Sequence, residues 1–412
     1  MRIVLFDLLS TGHHIKYASY LIQYLIEQED EVKFITWSPN KYIDDRINNI
    51  LSNDKFSINY LCKDCECSSG VSQEIKLSEY EKRVYWGLKY CYKIADEWKA
   101  DIVHHLYLDR SEISVYLSLL LSTGNHRWRF FATLFSPYFI HSREEKIGFY
   151  KILYHKTNVF TLKTMLKNRR LNGLFVHTNN IKQTLIRYFK DPTLKDQIFV
   201  IPDPVEQIPN VEQGLARSYL NLPQNKTMLL FIGGVTWSKG IDILLESLAL
   251  IKQKDWFLVI AGEPYQIKEE QIKEYKNTIS DPNSLIPHLH FIPEDMIKYY
   301  FSAADIVILP YRKYHKGTSG ILQLAASAGK PVIASDVGEI GQIVRKNGLG
   351  ILVESESPNS LADGIQYFLE KKENIIKETY YRAIRYAQNN DWRIMARKIR
   401  EVYFLSKKKE NG

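Results

Sequence analysis

The sequence has 412 residues, of which 45% are hydrophobic, 25% charged and 13% aromatic. These fractions are typical of a globular protein and exclude disorder, collagen and coiled coil as the main state. The length predicts two or three domains, because a typical domain has about 150 residues. Lys and Arg number 55 against 47 Asp and Glu, and this net charge of +8 is too small to indicate a nucleic-acid-binding protein.

The first apolar run and the longest internal one are both too short for membrane insertion. The run MRIVLFDLL has no small-residue cleavage site behind it and predicts a buried strand rather than a secretion signal. The internal stretch 115–121 is far shorter than the ~20 residues of a spanning helix. We therefore expect a cytoplasmic protein, either soluble or peripheral on the inner face of the plasma membrane.

Short β-rich runs alternate with helical patterns along the first two hundred residues. Strands are predicted at 3–6, 32–37, 101–106, 130–134, 173–177 and 197–201, with a helix at 15–27. A polar, proline-containing stretch follows, and the alternation then restarts. Strands are predicted at 228–232, 257–261, 289–292, 306–310 and 332–334, with helices at 241–252 and 321–328.

This pattern predicts an α/β protein with two Rossmann-like domains, because repeated strand–helix–strand units build doubly wound parallel sheets. We expect an N-terminal domain at 1–205, a linker at 206–226 and a C-terminal domain at 227–390. We also expect the two domains to face a cleft at the carboxyl ends of both sheets, where ligands of this class bind.

Three of the four cysteines stand close together, at Cys62, Cys65 and Cys67. A zinc site would need these thiolates and a fourth ligand. The alternative is a polar loop with reduced thiols, which is favoured because the spacing lacks a second pair. Cys91 falls in an aromatic helical pattern and is predicted to pack in a core. We therefore expect no metal site.

Two glycine-containing turns in the second half are candidates for binding phosphate. Gly233 and Gly234 lie between a strand and a helix, with Lys239 behind them. Glycine allows close approach of the backbone, and a helix N-terminus favours an anion to which a lysine adds charge. The spacing is not that of a P-loop. A tight turn without a ligand is the equal alternative.

The second turn, Thr318-Ser319-Gly320, enters the predicted helix at 321–328, which Gly329 ends. The first N–H groups of that helix, with the hydroxyls of Thr318 and Ser319, can cradle a diphosphate. The alternative is a closely packed structural helix without a ligand.

The order of these features resembles the nucleotide-sugar-binding half of glycosyltransferases with the GT-B fold, specifically glycosyltransferase family 4. The resemblance is strong over residues 228–403, including the runs 304–310 and 317–338. Residues 391–403 are similar to the family's final helix, which crosses back onto the N-terminal domain, so a closing helix and tail are implied at 391–412. Residues 1–37 resemble the family's opening unit more loosely.

The resemblance implies a hexosyltransferase-type enzyme of polysaccharide biosynthesis. It implies a retaining transfer from a nucleotide-diphosphate sugar to a glycan, glycolipid or lipid-linked acceptor, without a metal ion or other cofactor. Lys239 falls where the family has a lysine on the donor diphosphate. The residues expected around the diphosphate and nucleotide are Gly233, Gly234, Lys239, Glu263, Ile292, Thr318, Ser319, Gly320, Ile321 and Gln323.

One expected phosphate contact departs from the family's pattern. The family usually has an arginine where this sequence has Gly234. That contact is therefore missing here or is supplied by Arg312, Lys313 or Lys316.

The family's two glutamates and its donor-site histidine are also replaced. The glutamates fall on Lys316 and Leu324, with Gln323 as the nearest polar substitute for a ribose contact, and the histidine falls on Phe135. An active branch of the family is favoured. Two alternatives stay open: a degenerate nucleotide-binding subunit without catalysis and, less favoured, a sugar-nucleotide epimerase.

The first half holds the candidates for the acceptor. Gly12, His13 and His14 follow the first strand, and a histidine there can position or deprotonate an acceptor hydroxyl. The equal alternative is a histidine at a helix N-terminus that bonds only to backbone. For Glu263, expected at the donor, the alternative is a helix cap. The acceptor candidates are Gly12, His104, His105 and Asp109, and the catalytic candidates are His13, His14, Lys239 and Ser319.

The positive charge is concentrated in one segment. Residues 146–190 contain ten Lys or Arg and no Asp or Glu, mixed with aromatic residues. Such a mixture favours an anionic membrane surface, where each nearby base contributes about 1 kcal/mol. A solvated face over an ordinary core is the alternative. Nucleic acid is not expected, because no recognised binding fold accompanies the segment.

Overall fold

The computed structural model describes residues 1–9, 12–37, 45–62, 77–122, 126–136, 149–266, 269–315 and 317–408. The chain divides into two compact units. The first is Met1–Asp203 together with Trp392–Gly412, and the second is Pro204–Asp391. The division at 203/204 lies two residues from the predicted end of the N-terminal domain.

The first unit is built on a sheet of seven parallel strands, in the order β3-β2-β1-β4-β5-β6-β7. The central strands are buried along their length, because helices cover both faces of a doubly wound sheet. The strands are β1 (Arg2–Phe6), β2 (Glu31–Thr36), β3 (Phe56–Tyr60), β4 (Ile102–His105), β5 (Arg129–Leu134), β6 (Gly173–Val176) and β7 (Ile198–Val200).

Seven α-helices are described in this unit. They are α1 (Gly12–Glu27), α2 (Asp45–Ile50), α3 (Leu77–Glu97), α4 (Glu112–Leu120), α5 (Phe149–Lys167), α6 (Asn179–Phe189) and the last helix of the chain, α14 (Trp392–Lys408). Cys91 is fully buried in α3, as its aromatic surroundings predicted.

The last helix packs on the first. Met395, Ile399 and Tyr403 of α14 are buried in the cluster that α1 also enters. Arg393 pairs with Glu27 at 2.7 Å, and Arg400 pairs with Asp30 at 2.6 Å. The final segment of the chain is therefore part of the first unit although 188 residues of the second unit precede it in sequence.

The second unit has a six-stranded parallel sheet in the order β10-β9-β8-β11-β12-β13. Its strands are β8 (Thr227–Ile232), β9 (Trp256–Ala261), β10 (Leu285–His288), β11 (Ile306–Leu309), β12 (Val332–Ser335) and β13 (Gly350–Val353). The strand predicted at 289–292 is wrong, because the edge strand is the preceding Leu285–His288. Pro287 obscured it in the sequence, but an edge strand tolerates proline.

The α-helices described in the second unit are α7 (Gln213–Tyr219), α8 (Ile241–Leu248), α9 (Glu269–Lys276), α10 (Glu294–Ala303), α11 (Gly320–Ser327), α12 (Gly338–Asn347) and α13 (Pro358–Asn389). The segment expected to be a linker, 206–226, contains α7 and packs into this unit. Arg217 of α7 is buried and pairs with Asp305 at 2.8 Å. Such a buried pair does not belong to a free linker.

Both sheets reverse their strand order at one place. The chain leaves β1 toward β2 and returns on the other side as β4, and it leaves β8 toward β9 and returns as β11. The loops at the carboxyl ends of these strand pairs are where open α/β sheets bind ligands. Most of the candidate site residues lie at or after the ends of β1 and β4 in the first unit and of β8 and β11 in the second, whereas Glu263 follows β9 and Ile292 follows β10.

Candidate functional site

The turn after β8 brings backbone into close contact with a lysine. Gly233 has φ = 109°, a value that L side chains rarely adopt. A Cβ built at Gly233 would lie 2.7 Å from Lys239 Nζ and 3.5 Å from Ile321 Cδ1. The absence of a side chain here therefore lets the lysine amino group and the start of α11 come together.

Lys239 ends a short 3-10 helix, Trp237–Lys239, and Gly240 follows in the left-handed region with φ = 68°. A Cβ at Gly240 would overlap the carbonyl oxygen of Pro310, so glycine is required there. Burial lowers the pKa of Lys239. No carboxylate among the residues that the structure describes forms an ion pair with it, which leaves a largely buried cation without its counter-charge.

Helix α11 begins beside this lysine and is capped by Ser319. The Ser319 hydroxyl accepts the N–H of Leu322 and lies 3.0 Å from the Tyr311 hydroxyl. The Ser319 side chain is buried, and both of its hydrogen bonds are used inside the protein. The predicted catalytic role of this hydroxyl therefore has no geometric support. The surface at Gly320 is open, since a Cβ built there meets nothing within 4 Å.

A cleft of about 180 Å³ lies next to these groups. Glu263, Ile292 and Ile321, three predicted donor-site residues, line it together with Gly233 and Gly234. The rest of its wall is formed by Ile232, Gly262, Tyr265, Phe291, Ile297, Phe301 and Leu324. The cleft is therefore mainly apolar and is suited to a flat ring, with backbone of the glycine turn at one side.

The predicted ribose contact, Gln323, is misplaced. Its side chain is buried among the core residues of α11, whereas its neighbours Ile321 and Leu324 line the cleft. Helical phase explains the difference, because consecutive residues on a helix face about 100° apart. Glu263 stands at the exposed side of the cleft and accepts a hydrogen bond from the Tyr265 hydroxyl at 2.9 Å.

The basic residues suggested as substitutes for a missing phosphate contact are engaged elsewhere. Arg312 pairs with Asp242 and with Glu356, and its Nε donates to the carbonyl of Trp237. Lys313 is exposed and lies 4.0 Å from Glu356. Lys316 lies outside the described residues. His315, another basic residue of the loop after β11, has a pKa that burial and the charge of Lys239 lower.

His104 and His105, predicted as acceptor contacts, are both fully buried at the end of β4. His104 is hydrogen-bonded to Tyr403 and, at 2.9 Å, to Thr133. His105 lies 3.2 Å from the Ser111 hydroxyl. Burial lowers the pKa of both rings. Consecutive side chains on a strand point to opposite faces, but both faces of this central strand are covered, so neither histidine reaches the surface.

Asp109 is also an internal residue rather than an exposed acceptor contact. Its carboxylate accepts the N–H groups of Phe135 and Ser136 at 2.9 and 2.6 Å, which ties the loop after β4 to the loop after β5. Burial raises its pKa, although these N–H donors act in the opposite direction. Gly12 is the first residue of α1, and it contributes backbone only.

His13 and His14 lie in the first turn of α1, as expected, but in different surroundings. His14 is buried, and its Nδ1 lies 2.9 Å from Asp7 Oδ2. Burial lowers the pKa of His14, but the Asp7 charge and hydrogen bond outweigh it and the net shift is upward. His13 retains an exposed surface, and its partial burial and the neighbouring His14 lower its pKa to about 4.

Sequence reasoning missed two groups of residues at these sites. Asp7 directly follows β1 and stands seven positions before His14. A carboxylate directly after a buried strand was the sequence signal that could have identified it. Tyr107 packs on His14 with ring centroids 4.1 Å apart. In the second unit, Tyr265 and Phe291 line the cleft. Both residues lie in loops, which have no periodic pattern, so the sequence gives no sign of their position.

Neither metal ligands nor a membrane span is found in the described part of the chain. No group of three or more His, Cys, Asp or Glu side chains there could hold a metal ion. Cys65 and Cys67 lie outside the described residues, so the zinc alternative is not decided. Among the helices described, none is long and apolar enough to cross a membrane.

The second unit matches a known family. Residues 213–390 match the family model described as glycosyl transferases group 1. An uncharacterized glycosyltransferase of Methanocaldococcus jannaschii is 28% identical over 37% of this chain and 38% of its own length. A D-inositol 3-phosphate glycosyltransferase of Corynebacterium diphtheriae is 25% identical over 47% and 45%. A lipopolysaccharide 1,2-N-acetylglucosaminetransferase of Salmonella typhimurium is 29% identical over 38% and 43%.

The chain spans less than half the length of these curated relatives. Its fold, in contrast, is shared with solved structures over nearly all of this chain. A sucrose-phosphate synthase from Thermosynechococcus elongatus has a TM-score of 0.74 at 20% identity and 98% coverage of both chains. The HepE protein of Anabaena in complex with UDP has a TM-score of 0.68 at 14% identity, covering 97% and 99%. Residues 213–390 are therefore similar to glycosyl transferases group 1, in a chain whose two Rossmann-like domains have the GT-B fold.

Proposed function

We propose that the protein is a glycosyltransferase that takes a sugar from a nucleotide-diphosphate sugar, with the diphosphate at Lys239. The observation that carries this proposal is the partly buried Lys239 amino group, which stands at the strand-order reversal of the second sheet without a counter-charge among the described residues. A diphosphate would supply that charge. The first N–H groups of α11, next to Gly233, would add donors for it.

The chemistry follows from where charge develops. When the bond between the sugar and the diphosphate breaks, negative charge grows on the leaving phosphate oxygens. Lys239 and the N-terminal N–H groups of α11 would stabilise that charge in a partly buried site, where electrostatic stabilisation is strongest. We propose that these groups replace a metal ion and that no cofactor takes part. The apolar cleft beside Ile292 and Phe291 would hold the base.

The stereochemistry and the acceptor are proposals of the same kind. We infer a retaining transfer to a glycan, glycolipid or lipid-linked acceptor in a polysaccharide pathway. The resemblance to family 4 supports retention. The relatives support the acceptor class, since one is named for lipopolysaccharide and another for an inositol phosphate, and HepE supports the donor class, since it was solved with UDP.

The test is donor binding followed by turnover. UDP, GDP and ADP binding is measured by calorimetry, and nucleotide release from their glucose derivatives is measured with saccharide acceptors. Lys239→Ala should weaken diphosphate binding by at least about tenfold, since it removes a charge-assisted contact worth about 1.5–3 kcal/mol. Lys252→Ala, which alters an exposed lysine of the second unit outside the site, is the matched control and should bind as the wild type does. Equal affinity in both variants contradicts the proposal.

A non-catalytic subunit is the second candidate, and one feature of the cleft favours it. Leu324, not an acidic residue, lines the wall where α11 meets the cleft, so no carboxylate of α11 faces a ribose there. Nucleotide binding without release, across donors and acceptors, would support this candidate. An epimerase would instead convert the donor sugar without any acceptor, which product analysis distinguishes.

We further propose that the first unit binds an anionic membrane surface through its basic segment. Helix α5 exposes Tyr150 (87%), Leu153 and Phe160 (63%), and its exposed Lys156 and Lys167 lie among them. Apolar side chains that alternate with lysines are typical of interfacial helices. The adjoining helices α3 and α4, together with Leu121 directly after α4, also expose large apolar residues, which in the helices are Trp86, Tyr90, Leu117 and Leu120.

Vesicle co-sedimentation tests this membrane proposal. Binding to vesicles with anionic lipid should exceed binding to neutral vesicles and should weaken as salt rises. Phe160→Ser should reduce the bound fraction several-fold, because it removes about 1.5–3 kcal/mol of apolar burial. Tyr381→Ser, which alters an even more exposed aromatic residue of the second unit, is the matched control. Binding without lipid or salt dependence contradicts the proposal.

A further inference from the structure

A serine, a histidine and an aspartate meet at the amino edge of the first unit's sheet, opposite the edge at which the candidate acceptor residues lie. Asp96 lies in the last turn of α3, Ser122 follows the end of α4, and His126 precedes β5. Helices end and strands begin at this edge, so the fold brings the three residues together from separate elements. We call them the amino-edge triad.

The hydrogen bonds of the triad run in one direction. The Ser122 hydroxyl lies 2.6 Å from His126 Nε2, and His126 Nδ1 lies 2.9 and 3.0 Å from the two carboxylate oxygens of Asp96. Because a carboxylate only accepts hydrogen bonds, Nδ1 carries the ring proton and Nε2 accepts the serine hydroxyl. A hydroxyl within reach of a base that a third group orients is the arrangement of an activated nucleophile.

Trp128 restrains both partners of the serine. Its Nε1 donates to Asp96 Oδ1 at 2.8 Å, which holds a carboxylate that is otherwise 45% exposed. The His126 ring stacks on the Trp128 ring with centroids 4.4 Å apart, and Tyr92 stacks on the other side of the same indole at 4.8 Å. The imidazole is therefore fixed by a carboxylate and by an aromatic stack.

A second serine–histidine pair in the same unit shows what a purely structural contact is like. His105 Nε2 lies 3.2 Å from the Ser111 hydroxyl, but that hydroxyl donates to the carbonyl of Leu108, and both side chains are fully buried. The Nδ1 of His105 faces a carbonyl rather than a carboxylate. Ser122 and His126, in contrast, are only half-buried and stay in contact with solvent.

Two cations stand at the end of α4, next to Ser122. Lys89 Nζ donates to the carbonyl of Leu121 at 3.0 Å, and the Arg170 guanidinium donates to the carbonyl of Leu119. The C-terminus of a helix is negative and would oppose the negative charge that grows on a carbonyl oxygen under attack. These cations offset that effect and favour the developing charge.

The surface beside Ser122 is apolar. Leu117, Leu120 and Leu121, the residues of the last turn of α4 and its end, are 41%, 45% and 56% exposed. An apolar acyl chain can bury part of this surface, and each buried CH₂ group contributes about 0.8 kcal/mol.

We propose that the amino-edge triad is a second reactive site of this protein, at which Ser122 attacks carboxylic esters with an apolar acyl group. Ser122 is the nucleophile and His126 is the base. Asp96 is the positioning residue that holds the base and its tautomer. The proposal is independent of glycosyl transfer, because no residue of the donor site takes part.

In the reaction, the O–H bond of Ser122 breaks and its proton moves to His126 Nε2. The Ser122 oxygen forms a bond to the carbonyl carbon of the ester, and the bond from that carbon to the alkoxy oxygen breaks. The leaving oxygen keeps the electron pair, takes the proton from His126 and departs as an alcohol. Water then attacks the acyl-serine in the same way, which releases a carboxylic acid and restores Ser122 and His126.

Covalent labelling of the full chain tests the nucleophile. An alkyl fluorophosphonate, which forms a stable bond to activated serine oxygens, is added, and the labelled peptide is identified by mass spectrometry. We expect the label at Ser122. Ser406, a half-buried serine of α14 whose hydroxyl donates to the carbonyl of Tyr403, should stay unlabelled. No label at Ser122, or equal labelling of both serines, overturns the proposal without any variant.

Variants test the roles within the triad. Hydrolysis of p-nitrophenyl butyrate should fall to the buffer rate in Ser122→Ala and by about 10²–10⁴-fold in His126→Gln. Asp96→Asn should lower it at least about tenfold, and Asp96→Glu should restore part of it. Ser406→Ala is the matched control and should hydrolyse the ester as the wild type does.

Thermal unfolding of each variant separates this role from a structural one. If the three side chains only tie α3, the end of α4 and β5 together, His126→Gln lowers the melting temperature while labelling and hydrolysis stay at the wild-type rate, and the proposal is wrong. Nucleotide binding at Lys239 should be the same in Ser122→Ala and in the wild type. Its loss in the wild type would contradict the proposed function and leave the ester chemistry standing.

Discussion

At the scale of single residues, two glycines of the donor site differ in whether their position could accommodate a side chain. Gly233 has a positive φ and stands against the Lys239 amino group, whereas nothing lies within 4 Å of a Cβ built at Gly320. Gly233→Ala should destabilise the protein by about 1–3 kcal/mol, because an L side chain is strained there. It should also displace Lys239 and lower nucleotide affinity at least tenfold.

Gly320→Ala is the matched comparison. It should leave the free energy of unfolding unchanged or slightly improved, because the backbone is not strained and space is open. It should still weaken nucleotide binding, since its methyl group fills the space before α11. Denaturant unfolding and calorimetry measure the two quantities. Equal stability of both variants would contradict this interpretation of Gly233.

At the scale of elements, α11 depends on its cap. Ser319→Ala removes the bond to the N–H of Leu322 and the contact with Tyr311. We expect a loss of about 1 kcal/mol in the free energy of unfolding. Because the hydroxyl is buried in this role, kcat should change by less than about tenfold. A hundredfold loss of kcat at unchanged stability would restore the catalytic assignment that the sequence suggested.

The same helix shows what a sequence can and cannot predict. The Gly-Thr-Ser-Gly turn and the small residues behind it predicted α11 correctly, since local propensities and caps set a helix start. The choice between Gln323 and Leu324 was wrong because it depends on helical phase against the sheet. The prediction that His104 and His105 contact an acceptor was wrong for a related reason. The alternation of side chains along a strand does not tell which strands are covered on both faces. Asp7 was missed because its partner His14 lies on another element.

At the scale of the whole molecule, acid should destabilise the first unit more than the second, where burial also lowers the pKa of two histidines, His288 and His315. Burial lowers the pKa of His104, His105 and His177 in the first unit, and that of His105 falls to about 4. The unfolded chain protonates these rings near pH 6.5, above the folded pKa. The stability they contribute is therefore complete above about pH 6.5 and is lost as the pH falls toward the folded pKa. His14 acts in the opposite direction, because its pKa is raised.

Lowering the pH from 7 to 5 should consequently destabilise the first unit. For His105, whose pKa falls to about 4, the loss at pH 5 is about 2 kcal/mol. Thermal unfolding at both values, with amide exchange to separate the two units, measures it. His105→Gln should lose less stability than the wild type over this interval by about that amount, while His290→Gln, an exposed position of the second unit, should behave as the wild type does. An identical loss in all three proteins would mean that the buried imidazole does not take up a proton on unfolding, and the acid response would then have to arise from the carboxylates.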